Sequence, residues 1–162
     1  MEKMDPITLK KTEETVDFVL VKNESELPGW TSMEALTDFI HHKMKPYEDK
    51  PEDVGKGLNY AFSDGSNGRD GFAILASIDD KLAGVVVFLK TGMGGYVPEN
   101  LLLFVSVDPK LRNRGIGGHL IERALDYCKG SVKLHVEPDN PAKRLYERIG
   151  FSSKYYEMRY VR

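Results

Sequence analysis

The segment LLLFVSVDPKLRNRGIGGHLIERALDYC at residues 101–128, followed by VKLHV at 132–136, leaves this chain few folds to choose from. LLLFVSV is apolar at nearly every position, which predicts a central strand covered on both faces. Ile116, Leu120, Ile121, Ala124, Leu125 and Cys128 recur at helical spacing and form one apolar stripe. VKLHV alternates as a second strand. Strand, helix, strand in that order is a βαβ crossover, so at least one pair of strands must run parallel with a helix packed across them. A mixed sheet covered by helices follows.

The hydrophobic pattern elsewhere supplies further elements. Val16, Phe18 and Leu20 predict a strand over 16–22. Met33, Leu36, Ile40 and Met44 predict a helix that Pro46 stops. Pro51 opens a second helix over 51–62, with Val54, Leu58, Ala61 and Phe62 on its inner face and Gly55 and Gly57 weakening it. FAILASI and LAGVVVFL, separated by Asp79, Asp80 and Lys81, read as an antiparallel hairpin. Late in the chain, Asp139 or Asn140 caps a helix that begins at Pro141 and ends at Gly150, with Ala142, Leu145, Tyr146 and Ile149 facing inward. FSSKYYEMRYV at 151–161 reads as a last strand. The 162 residues suit one domain.

The turn RNRGIGG joins the central strand to its helix. Glycines there let a ligand approach the backbone, and the first turn of a helix offers N–H groups that have no internal partner. An anion fits such a corner, and the forked donors of Arg112 and Arg114 favour a diphosphate over a single carboxylate. A dinucleotide-binding fingerprint fits less well. Leu120 stands in its third glycine slot and DPKLRNR separates strand from glycines, although Glu137 does follow the next strand. No Walker loop is present.

Arg112-x-x-Gly115-x-Gly117, after VSVDP and before an amphipathic helix, resembles the acetyl-CoA signature of the GNAT superfamily of N-acetyltransferases. DNPAKRLYERIGF at 139–151 resembles that family's second recurring stretch. The resemblance covers about residues 12–162 and leaves 1–11 as an N-terminal extension. It implies an α/β (α+β) fold, a mostly antiparallel central sheet of six to seven strands flanked by helices, with a splayed central βαβ unit. It implies acetyl-CoA as acyl donor. The amides of Asn113, Arg114, Gly115, Ile116, Gly117 and Gly118, with the Arg112 and Arg114 side chains, would hold its pyrophosphate. The backbone of Val105 and Val107 would pair with the pantetheine arm, and Asn140, one position after the family's usual asparagine slot, would contact it. Tyr146 matches the family's general acid.

The expected reaction is direct attack of an amine on the thioester, with no covalent enzyme intermediate and no metal. An amine of pKa about 10.4 is neutral about once in 2,500 molecules at pH 7, a cost of roughly 4.6 kcal/mol, so a base should assist. Many family members carry a glutamate within the central strand, yet LLLFV holds no ionisable group. Glu99, His135 and Glu137 are the remaining candidates for the base, Glu99 and His135 being the two carried forward. A module that binds CoA without turnover is the alternative reading. The acceptor site is expected in residues 23–71 and 91–99.

Residues 1–100 hold 11 Lys and Arg against 18 Asp and Glu, net −7, while 101–162 hold 12 against 7, net +5. An anionic donor late in the chain and a cationic acceptor early would match that asymmetry. There is no basic run with interleaved aromatics, so no nucleic-acid partner is expected. The apolar run Ala83–Leu89 is too short to span a bilayer and MEKMDPITLKKTEE lacks a signal-peptide core, so the expected location is cytoplasmic, with no membrane partner. Small domains of the family it resembles are often dimers, so the resemblance admits a homodimer without implying one. Cys128 is the sole cysteine and sits on the apolar stripe, and His41 and His42, adjacent on a helix, point apart.

Overall fold

The computed structural model describes residues 1–162. Six strands make one sheet, in the order β1 (Glu2–Thr8), β2 (Thr15–Val21), β3 (Asp70–Ile78), β4 (Lys81–Lys90), β5 (Asn100–Val107) and β6 (Val132–Leu134). Every neighbouring pair is antiparallel except β5 and β6, the parallel pair that the crossover requires. Helices α1 (Met33–Lys43) and α2 (Pro51–Ala61) join β2 to β3, α3 (Ile116–Tyr127) joins β5 to β6, and α4 (Ala142–Ile149) follows β6. No helix is long and apolar enough to cross a membrane.

Alternation along the strands divides the core in two. Phe18, Leu20, Ile74, Val86 and Phe88 pack with Ile116, Leu120, Ile121 and Ala124 of α3 and with Tyr146 of α4. On the opposite face Val19, Val21, Leu75, Val85 and Val87 pack with Leu36 and Ile40 of α1 and Val54 and Leu58 of α2. Each buried Leu, Ile or Val contributes about 1.5–3 kcal/mol, which outweighs the roughly 1 kcal/mol that a mid-helix glycine costs. Helix α2 therefore forms in spite of Gly55 and Gly57. Gly57 has a packing reason as well, since a Cβ there would stand 2.5 Å from Leu103 Cδ2 and 2.9 Å from Phe104 Cε2. Its absence lets α2 press against β5.

Three expectations need correction. Residues 1–11 are not an extension outside the domain, because Glu2–Thr8 forms β1 and pairs antiparallel with β2. Pro6 and the charged residues around it hide this strand. Pro6 falls where the register shifts between Met4 and Ile7, a position that only an edge strand tolerates. The last strand expected at 151–161 has no regular secondary structure and joins no sheet. The strand expected at 132–136 is also shorter, ending at Leu134.

Two glycines separate propensity from packing. At Gly55 nothing lies within 4 Å of an added methyl, so Gly55→Ala is expected to raise unfolding free energy by about 0.5–1 kcal/mol. A Cβ at Gly71 would fall 2.2 Å from the Phe88 carbonyl oxygen and 2.9 Å from Ala61 Cα, so Gly71→Ala is expected to lower it by about 2 kcal/mol or more. Denaturant titration of both variants checks the signs.

Candidate active site

Strand β5 changes phase in the middle. Phe88 pairs with Leu102 and Val87 with Phe104, so Leu103 is one extra residue, a β-bulge. Its position coincides with the end of the parallel ladder, whose last pair is Leu102 with Leu134. Before the bulge, Asn100 N–H donates to the Ser131 carbonyl on the β6 side. After it, Asp108 N–H donates to the Ala83 carbonyl on the β4 side. Alternate residues of a strand direct their backbone groups to opposite edges, so Asn100 and Asp108 would face the same edge if nothing intervened. The bulge reverses the sense, and Val105 and Val107 present their backbone to the side that β6 has vacated.

Beyond this open edge the chain makes a single 3-10 turn, Pro109–Leu111, with the Asp108 carboxylate accepting from Lys110 N–H at 3.1 Å. Asn113 and Gly115 then take left-handed backbone, φ 61° and 88°. Gly115 is the N-cap of α3, and the first bond across that end runs from His119 N–H to the Gly115 carbonyl. The N–H groups of Ile116, Gly117 and Gly118 precede it and are left without intrahelical acceptors. Arg112 to Gly115 are exposed. A Cβ at Gly117 or Gly118 would meet Leu145 of α4 at 3.6 or 3.8 Å, an ordinary contact, so packing against α4 does not itself demand glycine there.

The two arginines are employed differently. Arg112 donates through Nε to the Val107 carbonyl at 3.3 Å and through Nη2 to the Lys43 carbonyl at the end of α1. It fastens the turn to β5 and to α1. Arg114 Nη1 lies 3.6 Å from Glu14 Oε2 in the β1–β2 turn, both side chains partly exposed. That pair is weak and exchangeable, worth about 0–1 kcal/mol.

The other expected residues fall in distinct places. Tyr146 is buried on α4 with its ring 6.0 Å from that of Phe151, and burial pushes its hydroxyl up to about 12. Asn140 Oδ1 accepts from Ala142 N–H at 2.9 Å and caps α4. His135 is exposed, one residue beyond the Leu134–Leu102 pair and so level with the bulge. Glu99 lies at the other end of β5, where Oε2 accepts from Ser131 N–H at 2.7 Å. Hydrogen bonds from its own amide and from that of Ser131 hold the carboxyl below the usual range. A hollow of about 470 Å³ lined by Glu99, Met93, Tyr127 and Cys128 opens at that end, away from the glycine turn. Cys128 is half-buried and its thiol is pushed up by desolvation, which leaves it a poor nucleophile.

Tyr47 escapes any reading of the sequence alone. Its hydroxyl donates to the Asp139 carbonyl at 3.2 Å, joining the α1–α2 connection to the turn before α4. Burial, Asp139 and Glu137 raise its pKa. No spacing in the sequence could connect residues 92 positions apart.

Comparison with known proteins agrees with this geometry. The sequence model of the acetyltransferase (GNAT) family matches residues 30–151. N-alpha-acetyltransferase RimI of Mycobacterium tuberculosis (strain ATCC 25618 / H37Rv) is 40% identical over 60 residues, 36% of this chain and 38% of its own length. Cysteine-rich protein 2-binding protein of Homo sapiens is 37% identical over 59 residues, 36% of this chain and 8% of its own length. The chain thus spans only a minor part of both relatives. Among solved structures, aminoglycoside N-acetyltransferase AAC(6')-Iy in complex with CoA superposes with a TM-score of 0.64 at 16% identity, covering 95% of this chain and 99% of that one. A ribosomal-protein-alanine N-acetyltransferase from Brucella melitensis biovar Abortus 2308 gives 0.58 at 18% identity, covering 90% and 99%. These two share the fold. With three quarters of its residues matched by the family's sequence model, the chain belongs to the GNAT family of acetyltransferases.

Proposed function

We propose that the protein transfers an acetyl group from acetyl-CoA to an amine by direct attack, without a covalent enzyme intermediate. The observation that carries this reading is that two sets of unpaired backbone donors lie at the same end of β5. They are the Val105 and Val107 amides on its open edge and the Ile116 to Gly118 amides at the start of α3. A strand-like arm ending in a diphosphate satisfies both at once. When bound, acetyl-CoA supplies an acyl group already activated as a thioester. Val105 and Val107 would hold its pantetheine arm, with the Asn140 side-chain amide beside it, and the amides from Asn113 to Gly118 would hold the pyrophosphate. Arg114 would exchange Glu14 for phosphate, while Arg112 keeps the turn in place.

The protein must also take a proton from the amine and give one to the departing thiol. His135 is the base we retain, being level with the bulge. Glu99 is six residues from Val105, about 20 Å along the strand, and its carboxylate is already engaged. Tyr146 is the proposed acid. With its hydroxyl near 12 and a thiol near 8.5, full proton transfer to a free thiolate is uphill by about 5 kcal/mol. Donation therefore has to accompany bond breaking rather than follow it.

The acceptor is proposed to be a cationic amine bound among residues 23–71 and 91–99. Exposed Glu48, Asp49, Glu52 and Asp53 flank Tyr47 and support this, as do the names of relatives that act on protein or aminoglycoside amines. One observation favours a second reading, a CoA-binding module without turnover: β5 carries no ionisable side chain and the Tyr146 proton is held tightly. Acetyl-CoA with a panel of amines, followed by release of free thiol, decides between them. Steady release supports the transferase, and binding without release supports the module.

Three variants test the donor site. Arg114→Ala is expected to weaken CoA binding about 10-fold, by loss of a charge-assisted hydrogen bond, and to leave the melting temperature nearly unchanged. Glu14→Gln is expected to tighten it slightly. Arg112→Ala is expected to lower stability by about 1–2 kcal/mol, because two carbonyls lose their donor. Calorimetry and thermal melts separate these effects.

Tyr146→Phe is expected to lower kcat at least about 100-fold with little change in melting temperature, whereas a change under about 3-fold would mean that Tyr146 only packs. Because burial raises the hydroxyl, the folded protein keeps it protonated as pH rises past 10. The kcat profile of the unaltered protein should show no alkaline fall from this group below about pH 11, and any stability linked to it is lost only as pH climbs from about 10 toward 12.

A further inference from the structure

Ser106 is the only polar side chain in LLLFVSV, and it stands where a polar side chain is costly. It is 4% exposed, and its Oγ has no hydrogen-bond partner. A buried hydroxyl in that state destabilises the fold, and alanine would fit the same strand without the penalty.

Two directions decide what the hydroxyl can meet. Ser106 lies opposite Val85, and directly opposed residues show their side chains on one face, so the hydroxyl is on the α1 and α2 side with Val85 and Phe104. Val105 and Val107, on either side of it, pack toward α3. Along the sheet, Ser106 is four residues beyond Leu102, the last to pair with β6, so no strand stands beside it on that edge. The arm of acetyl-CoA, running there as a substitute strand, is the neighbour that a sheet would otherwise supply. Residues directly across a sheet lie about 4.5–5.5 Å apart at Cβ, close enough for a hydroxyl to bond a group that projects on its own face. One rotatable bond separates Oγ from the backbone, so turning toward such a group needs no movement of the strand.

We infer that Ser106 is a positioning residue for the donor, its hydroxyl donating to an amide carbonyl of the pantetheine arm on the face from which the amine is proposed to approach. The inference rests on the acetyl-transfer reading and adds a side chain to a grip otherwise made by backbone. The Val105 and Val107 backbone sets how far the arm lies from β5. The hydroxyl sets which way the arm turns, because it acts on one face only. Serine at this position is a burden to the free protein and of use only to the loaded one.

Ser106→Ala separates this role from a structural one by the signs of two effects. The free variant is expected to melt about 2–4 °C higher, since a methyl replaces an unpaired buried hydroxyl. Its affinity for CoA, measured by calorimetry, is expected to fall about 10-fold. ADP, which carries the diphosphate and no arm, is expected to bind both proteins equally when titrated by NMR. A lower melting temperature in the variant would show the hydroxyl already partnered in the free protein, and an equal loss for ADP would show a general disturbance; either overturns the proposal. Equal CoA affinity in the two proteins overturns the assignment of Ser106 and leaves the acetyl-transfer reading standing. An unaltered protein that does not bind CoA removes both.

Discussion

One additional residue in β5 governs the rest of the structure. Had Leu103 been accommodated in register, Leu102 and Phe104 would pack on the same side of the sheet. Instead Leu102 joins the core beneath α3 and Phe104 the core beneath α2. The same shift turns the backbone of Val105 and Val107 away from β4 and ends the ladder to β6 at Leu134. Gly57 belongs to this arrangement, because α2 reaches the bulge only where it has no side chain. The sheet thereby gains a second, internal edge without losing the strand that carries it. A backbone group buried there without a partner costs about 1–3 kcal/mol, so a ligand that restores the missing acceptors binds to an edge already poised for it.

How much of this the sequence discloses depends on whether a residue's partner lies nearby. The crossover is legible because a strand apolar on both faces and a helix with one stripe each announce themselves locally. The glycine turn is legible too, and the structure adds that Gly115 takes left-handed backbone. The bulge is not. LLLFV is apolar at every position, so there is no alternation for an inserted residue to interrupt, and the phase change leaves no mark. Edge strand β1 is hidden for the opposite reason. Its Pro6 and exposed charges protect a sheet edge from aggregation, and those same residues read as a loop. The last segment reads as a strand from its alternating pattern, but no edge of the sheet takes it up.

Arginine placement shows where chemical reasoning from residue type falls short. Arg112 and Arg114 both look like phosphate ligands in the linear motif, two residues apart beside three glycines. In the fold Arg114 has an exchangeable partner, Glu14, whereas Arg112 gives two of its five donors to the carbonyls of Val107 and Lys43. A carboxylate resting on Arg114 occupies the role a phosphate would take, and by mass action it lowers the apparent affinity only slightly. Tyr146 makes a similar point. Its motif marks it as an acid, but the packing that fixes its position also raises the free energy of releasing its proton. Position and acidity are set by one cause and pull in opposite directions.

The proposed acceptor side is tied to the proposed donor side by three contacts, all through the end of α1 and the connection after it. Arg112 donates to the Lys43 carbonyl, Lys43 Nζ lies 3.8 Å from Asp108 Oδ2, and Tyr47 donates to the Asp139 carbonyl at 3.2 Å. Each is worth about 1 kcal/mol or less, so none alone holds residues 44–50 in place. Acting together they amount to at most about 2–3 kcal/mol, which sets an upper bound of roughly 30- to 150-fold on any coupling between the two sides. The turn that would hold the diphosphate is thus also an anchor of the wall proposed to receive the amine. A ligand held by the turn would therefore bear, through Arg112, on the end of α1 that the wall begins from.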